Sequence, residues 1–301
     1  MKPSPAELMT PRLTTALDGL AEWSIRLPRS TGDDVASVAG TLEGPYCIAA
    51  RTLPTTFSLR DARVAAEGEE CWGVQIVDPC YWTPRLPFIY RLRAQIAWKS
   101  GQREDWEQSV ALRRFEARGQ SFYWDRKRVV LRGALLPNGA LSALDEADRC
   151  GATLIVPNPS FEFCEHATRR GVSVIADLRE AGRKLLHEMR QLAWQGAVLA
   201  AIVDANQLES AADIDGPMLI EWVHLDSGPV RMADDGRRPM IVSLEPGRTP
   251  PAELAVVHRP MIAVSHRARS RTVAEARDSC DNLQAELAPA FDLAGYFFEA
   301  S

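Results

Sequence analysis

Carboxylates close several apolar runs in the second half of this chain. In "LAAIVDANQL" (199–208) five apolar or small residues run straight into Asp204, Asn206 and Gln207. Asp177 ends "VSVIAD", Glu245 follows "RPMIVSL", and Glu221 lies inside "PMLIEWVHL", where strand alternation can turn it inward. Two such groups held close together can act as acid, base or nucleophile, whereas one alone is commonly a hydrogen-bonded or solvated strand end. A buried Glu221 needs a charge partner, and Arg132 is the candidate. Ser265 and His266 are sequence neighbours, a poor arrangement for a nucleophile and its base, and no GxSxG motif is present. His224 and His266 could join Asp177 or Asp204 on a metal, but no HxH-type spacing supports this, so neither metal nor cofactor is expected. Among Trp82, Trp98, Trp124, Trp194 and Trp222, the last is the first choice for ligand contact, while Trp82 and Trp124 fall on strands and suit a core.

The elements that must carry these residues alternate. Eight apolar strand candidates follow Arg128: 128–134, 152–157, 172–178, 197–204, 217–225, 239–244, 260–265 and 293–298. Helical stretches separate several of them, among them "ALSALDEADRCG", "SFEFCEHATRRG", "LREAGRKLLHEMRQLAWQG" and "TVAEARDSCDNLQAELA", with Ser or Thr starts or Gly stops. Continuous apolar strands alternating with helices are parallel strands under helical cover. Eight of them suggest a small (β/α)8 barrel, a TIM-like α/β fold over 126–301. The links after the fourth, fifth and sixth strands leave room for one or two helical turns, since a crossover with its helix takes at least about 10 residues. The outer ring is therefore thin there, and apolar strand surface on that side must meet something else, a protein partner or a second copy. "RRPMIVSLEP" and "HRPMIAVSHR" echo each other, as two strands under one packing demand would.

Residues 1–125 read differently. "AEWSIRL", "YCIAAR", "CWGVQIVD", "PFIYRLRAQIAW" and "EQSVALRRF" are short β-branched and aromatic runs between turn residues, which suggests an immunoglobulin-like β-sandwich. Composition sets outer bounds: 301 residues, 46% hydrophobic and 25% charged, with a net charge of -5. That balance argues against a nucleic-acid partner, which needs basic patches. No run approaches the ~18 apolar residues of a membrane span. Six cysteines without CxxC or zinc spacing fit free thiols in a reducing cytoplasm.

A β-sandwich running into a barrel resembles glycoside hydrolase family 2, the β-galactosidase and β-glucuronidase family. "DPCYWTPRLPFIYRLRAQI" is similar to the family's LWsPexPyLYxl segment, with Trp82, Pro84, Pro87 and Tyr90 at its positions. "VALRRF" resembles its G-f-R segment through Arg113, with Ala111 for Gly. "QSFYWDRKRVVLRGA" resembles f-x-l-N-G-K-p-v-x-l-R-G through Phe122, Lys127, Arg132 and Gly133, with Asp125 and Arg126 in place of the Asn-Gly turn. The likeness covers residues 70–205 well and the rest loosely, and the family's N-terminal sugar-binding jelly roll is expected to be absent.

The resemblance also says where catalysis would sit. Retaining glycosidases need two carboxylates about 5–5.5 Å apart. The family's acid/base Glu follows Asn at the end of strand 4, and here that pair resembles Asn206-Gln207. Glutamine cannot give and retake a proton. The nucleophile address at the end of strand 7 carries Ser265 and His266, and the second strand offers Asn158 or Pro159 where a sugar-binding His is common. These departures imply a non-catalytic homologue that keeps a carbohydrate- or protein-binding role, with Asp177, Glu221, Trp222 and Arg132 as binding candidates. Two alternatives stay open: an active glycosidase with relocated carboxylates Asp204 and Glu245, and a structural or assembly subunit.

Overall fold

The computed structural model describes residues 9–27, 35–62, 70–212, 215–223, 238–245 and 250–301. His224 therefore lies outside the described residues. The chain forms two compact units, one of 1–113 with 186–196 and 213–216, the other of 114–185, 197–212 and 217–301.

The first unit holds two antiparallel sheets. One has the order β1-β2-β6-β5, built from β1 (Thr10–Ala16), β2 (Leu20–Leu27), β5 (Arg60–Ala62) and β6 (Glu70–Val77). The other has the order β4-β3-β7-β8, from β3 (Val35–Tyr46), β4 (Thr55–Ser58), β7 (Ile89–Trp98) and β8 (Arg103–Val110). Strand β7 alternates buried and exposed residues along "YRLRAQIAW", the half-solvated pattern expected of it. Trp23, Ile25, Leu42, Trp72, Leu92 and Ile96 join both sheets in one core. The strand expected at 46–51 is a loop after Tyr46, with Ile48 exposed: among the described residues no strand pairs with it. Trp194 belongs to this core, its ring 5.0 Å from Trp106 and 6.3 Å from Trp23, edge-on to both.

The second unit starts with a small sheet, β9 (Phe115–Arg118), β10 (Ser121–Trp124) and β11 (Lys127–Val129), in the order β11-β10-β9. Trp124 pairs with Lys127 across a two-residue turn in which Asp125 and Arg126 both take positive φ, 46° and 65°. That is the conformation Asn-Gly supplies in such hairpins. Asp125 also receives a hydrogen bond from Arg114 Nη1 at 2.8 Å.

Eight parallel strands then close a barrel: β12 (Leu131–Leu135), β13 (Thr153–Pro157), β14 (Val174–Asp177), β15 (Val198–Val203), β16 (Met218–Val223), β17 (Met240–Leu244), β18 (Met261–Ser270) and β19 (Gly295–Ala300). Each overlaps one of the eight runs read from the sequence. Helices α1 (Ser142–Cys150), α2 (Phe161–Arg170), α3 (Leu185–Ala193), α4 (Leu208–Ala212) and α5 (Val273–Leu287) lie between strands. Ser160 and Thr272 cap α2 and α5 by accepting the N–H of Phe163 and Glu275, and Gly151 and Gly171 close α1 and α2 in left-handed geometry. Gly133 is a packing requirement: a Cβ there would meet the Thr153 carbonyl oxygen at 1.8 Å. The two echoing segments are neighbours in register, Met240 opposite Met261.

On the thin side the strands are covered by the chain itself. Val223, Met240, Val242, Leu244 and Met261 are all buried. A short 3-10 segment, Ala252–Val256, brings Leu254 into the core. The apolar strand surface expected to need a partner is thus satisfied within the chain at these residues.

Candidate functional site

Which side chains face the barrel interior follows from register, because partners on parallel strands share a face and successive residues alternate. Arg132 points outward to α5, its Nε 3.0 Å from Gln284 Oε1 and 3.0 Å from Asp281 Oδ1. Its rung runs through Tyr296, Ala263, Val242 and Val223, so these face outward too. Trp222 therefore faces inward and Glu221 outward. The inward rung from Leu135 through Ile155 to Ile175 carries Asp177 inward, and Asp177 pairs with Ile202, then Ile220, which returns the same parity. By the same alternation Glu299, opposite Leu135, faces inward, while Ser265, opposite Phe298, faces outward.

Glu221 and Arg132 are thus corrected in place and in pairing. Glu221 is buried and pairs with the fully buried Arg259, Nη1 to Oε2 at 3.2 Å. Arg259 Nη1 also donates to the Arg238 carbonyl at 3.1 Å. Both ions sit on the outer face of the thin side, away from the mouth.

Asp177, Asp204, Gln207, Trp222, His266 and Glu299 gather at the C-terminal ends of the strands, where barrel proteins build their sites. Asp177 holds Arg179 by a two-point fork, Nη2 to Oδ2 at 2.7 Å and Nε to Oδ1 at 2.9 Å. The Arg179 guanidinium carbon lies 3.8 Å from the centre of the Trp222 ring. Burial works to lower the Arg179 pKa, but the hydrogen bonds and charge of Asp177, then the charges of Asp204 and Glu180, outweigh it and raise the value. The cation is secure.

Gln207, which the resemblance sets at the acid/base position, is committed to the backbone. Its Oε1 accepts the Asp204 N–H at 2.9 Å, and its Nε2 donates to the Arg179 carbonyl at 3.4 Å. Asp204 begins a 3-10 turn, Ala205–Gln207, whose capping box it forms with Gln207. Asn206 is exposed on that turn. Asn158 is exposed too, at φ 41°, and its backbone N–H donates to the Asp177 carbonyl at 2.9 Å.

Of the pair that the resemblance sets at the nucleophile position, Ser265 is buried on the outer face, and His266 Nδ1 lies 2.5 Å from Glu299 Oε1 on the next strand. Glu299 and Arg179 were not singled out in the sequence. The signals were a strand that runs to Ala300, two residues past the expected end, and an Asp-x-Arg step at the end of β14.

Asp204 and Glu245 follow the ends of β15 and β17, two strands separated by β16. Asp204 is one residue past the rung Val203–Glu221–Met240, and Glu245 is five past it. The offset of four residues is roughly 13 Å along the strand direction. Of the other tryptophans, Trp82, Trp98, Trp124 and Trp194 are buried. Among the described residues no group of three or more His, Cys, Asp or Glu side chains is placed to hold a metal ion, and no helix is long and apolar enough to cross a membrane.

No protein-family model and no curated protein sequence matches the chain. Solved structures do. A β-glucuronidase of Bacteroides uniformis is 13% identical with a TM-score of 0.64, over 97% of this chain and 45% of its own. A Parabacteroides merdae β-glucuronidase is 12% identical with a TM-score of 0.63, over 98% and 47%. A family 2 glycosyl hydrolase of Bacteroides cellulosilyticus is 11% identical with a TM-score of 0.63, over 98% and 43%. The chain spans less than half the length of each of these structures. It has the fold of glycoside hydrolase family 2 proteins, as the motif order implied.

Proposed function

We propose that this chain is a non-catalytic relative of the family 2 glycoside hydrolases, a pseudoenzyme whose barrel mouth keeps a carbohydrate-binding role. In this reading the closed barrel is a reduced (β/α)8 barrel of the TIM type, and the two antiparallel sheets are its immunoglobulin-like sandwich. The observation that carries the reading is Gln207. It stands where the family has its proton donor, and both ends of its amide are bonded to backbone groups. The buried, outward Ser265 at the nucleophile address supports the same conclusion. The cysteines favour a reducing, cytoplasmic setting.

A glycosidase with relocated carboxylates remains the second reading, because Asp204 and Glu245 each follow an outward residue at a strand end and so continue the inward face. Their four-residue offset counts against a retaining pair, which needs about 5–5.5 Å between carboxyl groups. The test is a panel of aryl glycosides run against the chain and its Glu245→Gln and Asp204→Asn variants. We expect no turnover in any of them. Turnover by the unmodified chain that either substitution abolishes overturns the proposal.

A further inference from the structure

Trp222 is the aromatic group that strand alternation presents to the barrel mouth, yet the residue is only 9% exposed. The group over it is Arg179, 3.8 Å from the ring centre. A stacked guanidinium and a stacked pyranose need the same thing, one open face of the ring. Arg179 is not resting there loosely. Asp177 grips its Nε and Nη2 edge, the Asp177 carboxylate also accepts the Arg179 backbone N–H at 3.3 Å, and Gln207 holds the Arg179 carbonyl. Side chain and backbone of one residue are thus fixed by the two strand ends that flank the mouth, β14 and β15.

We propose that Arg179 is a built-in cover on a carbohydrate-stacking platform: the indole face of Trp222 is a cryptic pyranose site that opens when Arg179 is displaced. The proposal rests on the carbohydrate-binding reading above and adds its regulation. While the cover is closed the competent fraction is small, and apparent affinity falls by that fraction. Holding Arg179 down are the Asp177 fork and the ring itself. An incoming sugar that competes for the ring, or a substitution that breaks the fork, opens the site.

The test uses the full chain and two readouts. Acrylamide quenching of tryptophan fluorescence reports whether the ring is uncovered, with Trp222→Phe identifying its share among the eight tryptophans. Titration with the methyl glycosides of glucose, galactose, mannose and glucuronic acid at constant ionic strength reports binding. In Arg179→Ala we expect stronger quenching, a difference that disappears in Arg179→Ala/Trp222→Phe. We also expect at least one glycoside to bind about tenfold tighter than to the unmodified chain. Asp177→Asn, which loosens the fork while leaving Arg179 in place, should fall between the two and serves if Arg179→Ala does not fold. Unchanged quenching in both variants overturns the cover. So does a glycoside that binds the unmodified chain as tightly as Arg179→Ala, an outcome that leaves the carbohydrate-binding reading standing. Increased quenching with no glycoside bound by any variant overturns the pyranose site and that reading with it.

Discussion

Gln207 Oε1 and the backbone N–H of Asp204 are hydrogen-bonded at 2.9 Å, so this side chain is spent on closing its own turn. Gln207→Glu keeps the acceptor and loses the amide donor to Arg179. The substitution is therefore expected to give no glycosidase activity and to cost about 1 kcal/mol. Urea unfolding and an aryl glycoside assay on the same preparation check both parts.

The Glu221–Arg259 pair is expected to be fragile to one-sided change. Glu221→Leu strands a buried guanidinium and should destabilise the chain by about 3–5 kcal/mol. Replacing both partners, Glu221→Leu with Arg259→Met, should recover most of that loss, because the desolvation of two ions is then removed together. Chemical denaturation of the unmodified chain, the two single variants and the double variant measures the coupling.

Arg126 at φ 65° occupies a left-handed position without being glycine. Arg126→Gly is expected to raise stability by about 1 kcal/mol, the cost of a side chain in that region. The gain should appear as a shift in unfolding midpoint without a change in its denaturant slope.

Cys280 gives a pH dependence with a definite sign. Burial raises its thiol pKa to about 11, against an ordinary value near 9. Between those values the unfolded chain loses its proton first and the folded chain keeps it, so stability falls as pH rises through that window. The expected loss from this group is about 2 to 3 kcal/mol across two pH units. Below pH 9 it contributes no slope. Cys280→Ala should flatten the alkaline limb of a stability profile measured from pH 8 to 11.

Much of the barrel was legible because its strands are buried on both faces. "ATLIVP" and "AVLAAIVD" have no polar alternation to confuse their assignment, and capping residues such as Ser160 and Thr272 mark the helices between. What a single strand cannot reveal is its register. Glu221 and Trp222 are adjacent in sequence, and only the rungs through Val242 and Ile241 decide which faces inward. The partner of Glu221 was missed for the same reason: Arg259 is 38 residues away and meets it only across three paired strands. Glu299 escaped because β19 runs beyond its apolar stretch. The amphipathic pattern of α3 shows that it has an apolar face, but not which core receives it.

That last helix bears on synthesis. Residues 186–196 complete the core of the first unit, with Trp194 against Trp23 and Trp106. The sheets formed by the first 113 residues therefore wait for a segment that leaves the ribosome only after three barrel strands have been made. The N-terminal unit therefore cannot be completed from its own contiguous stretch of chain, and its last core segment is delivered from within the sequence of the barrel.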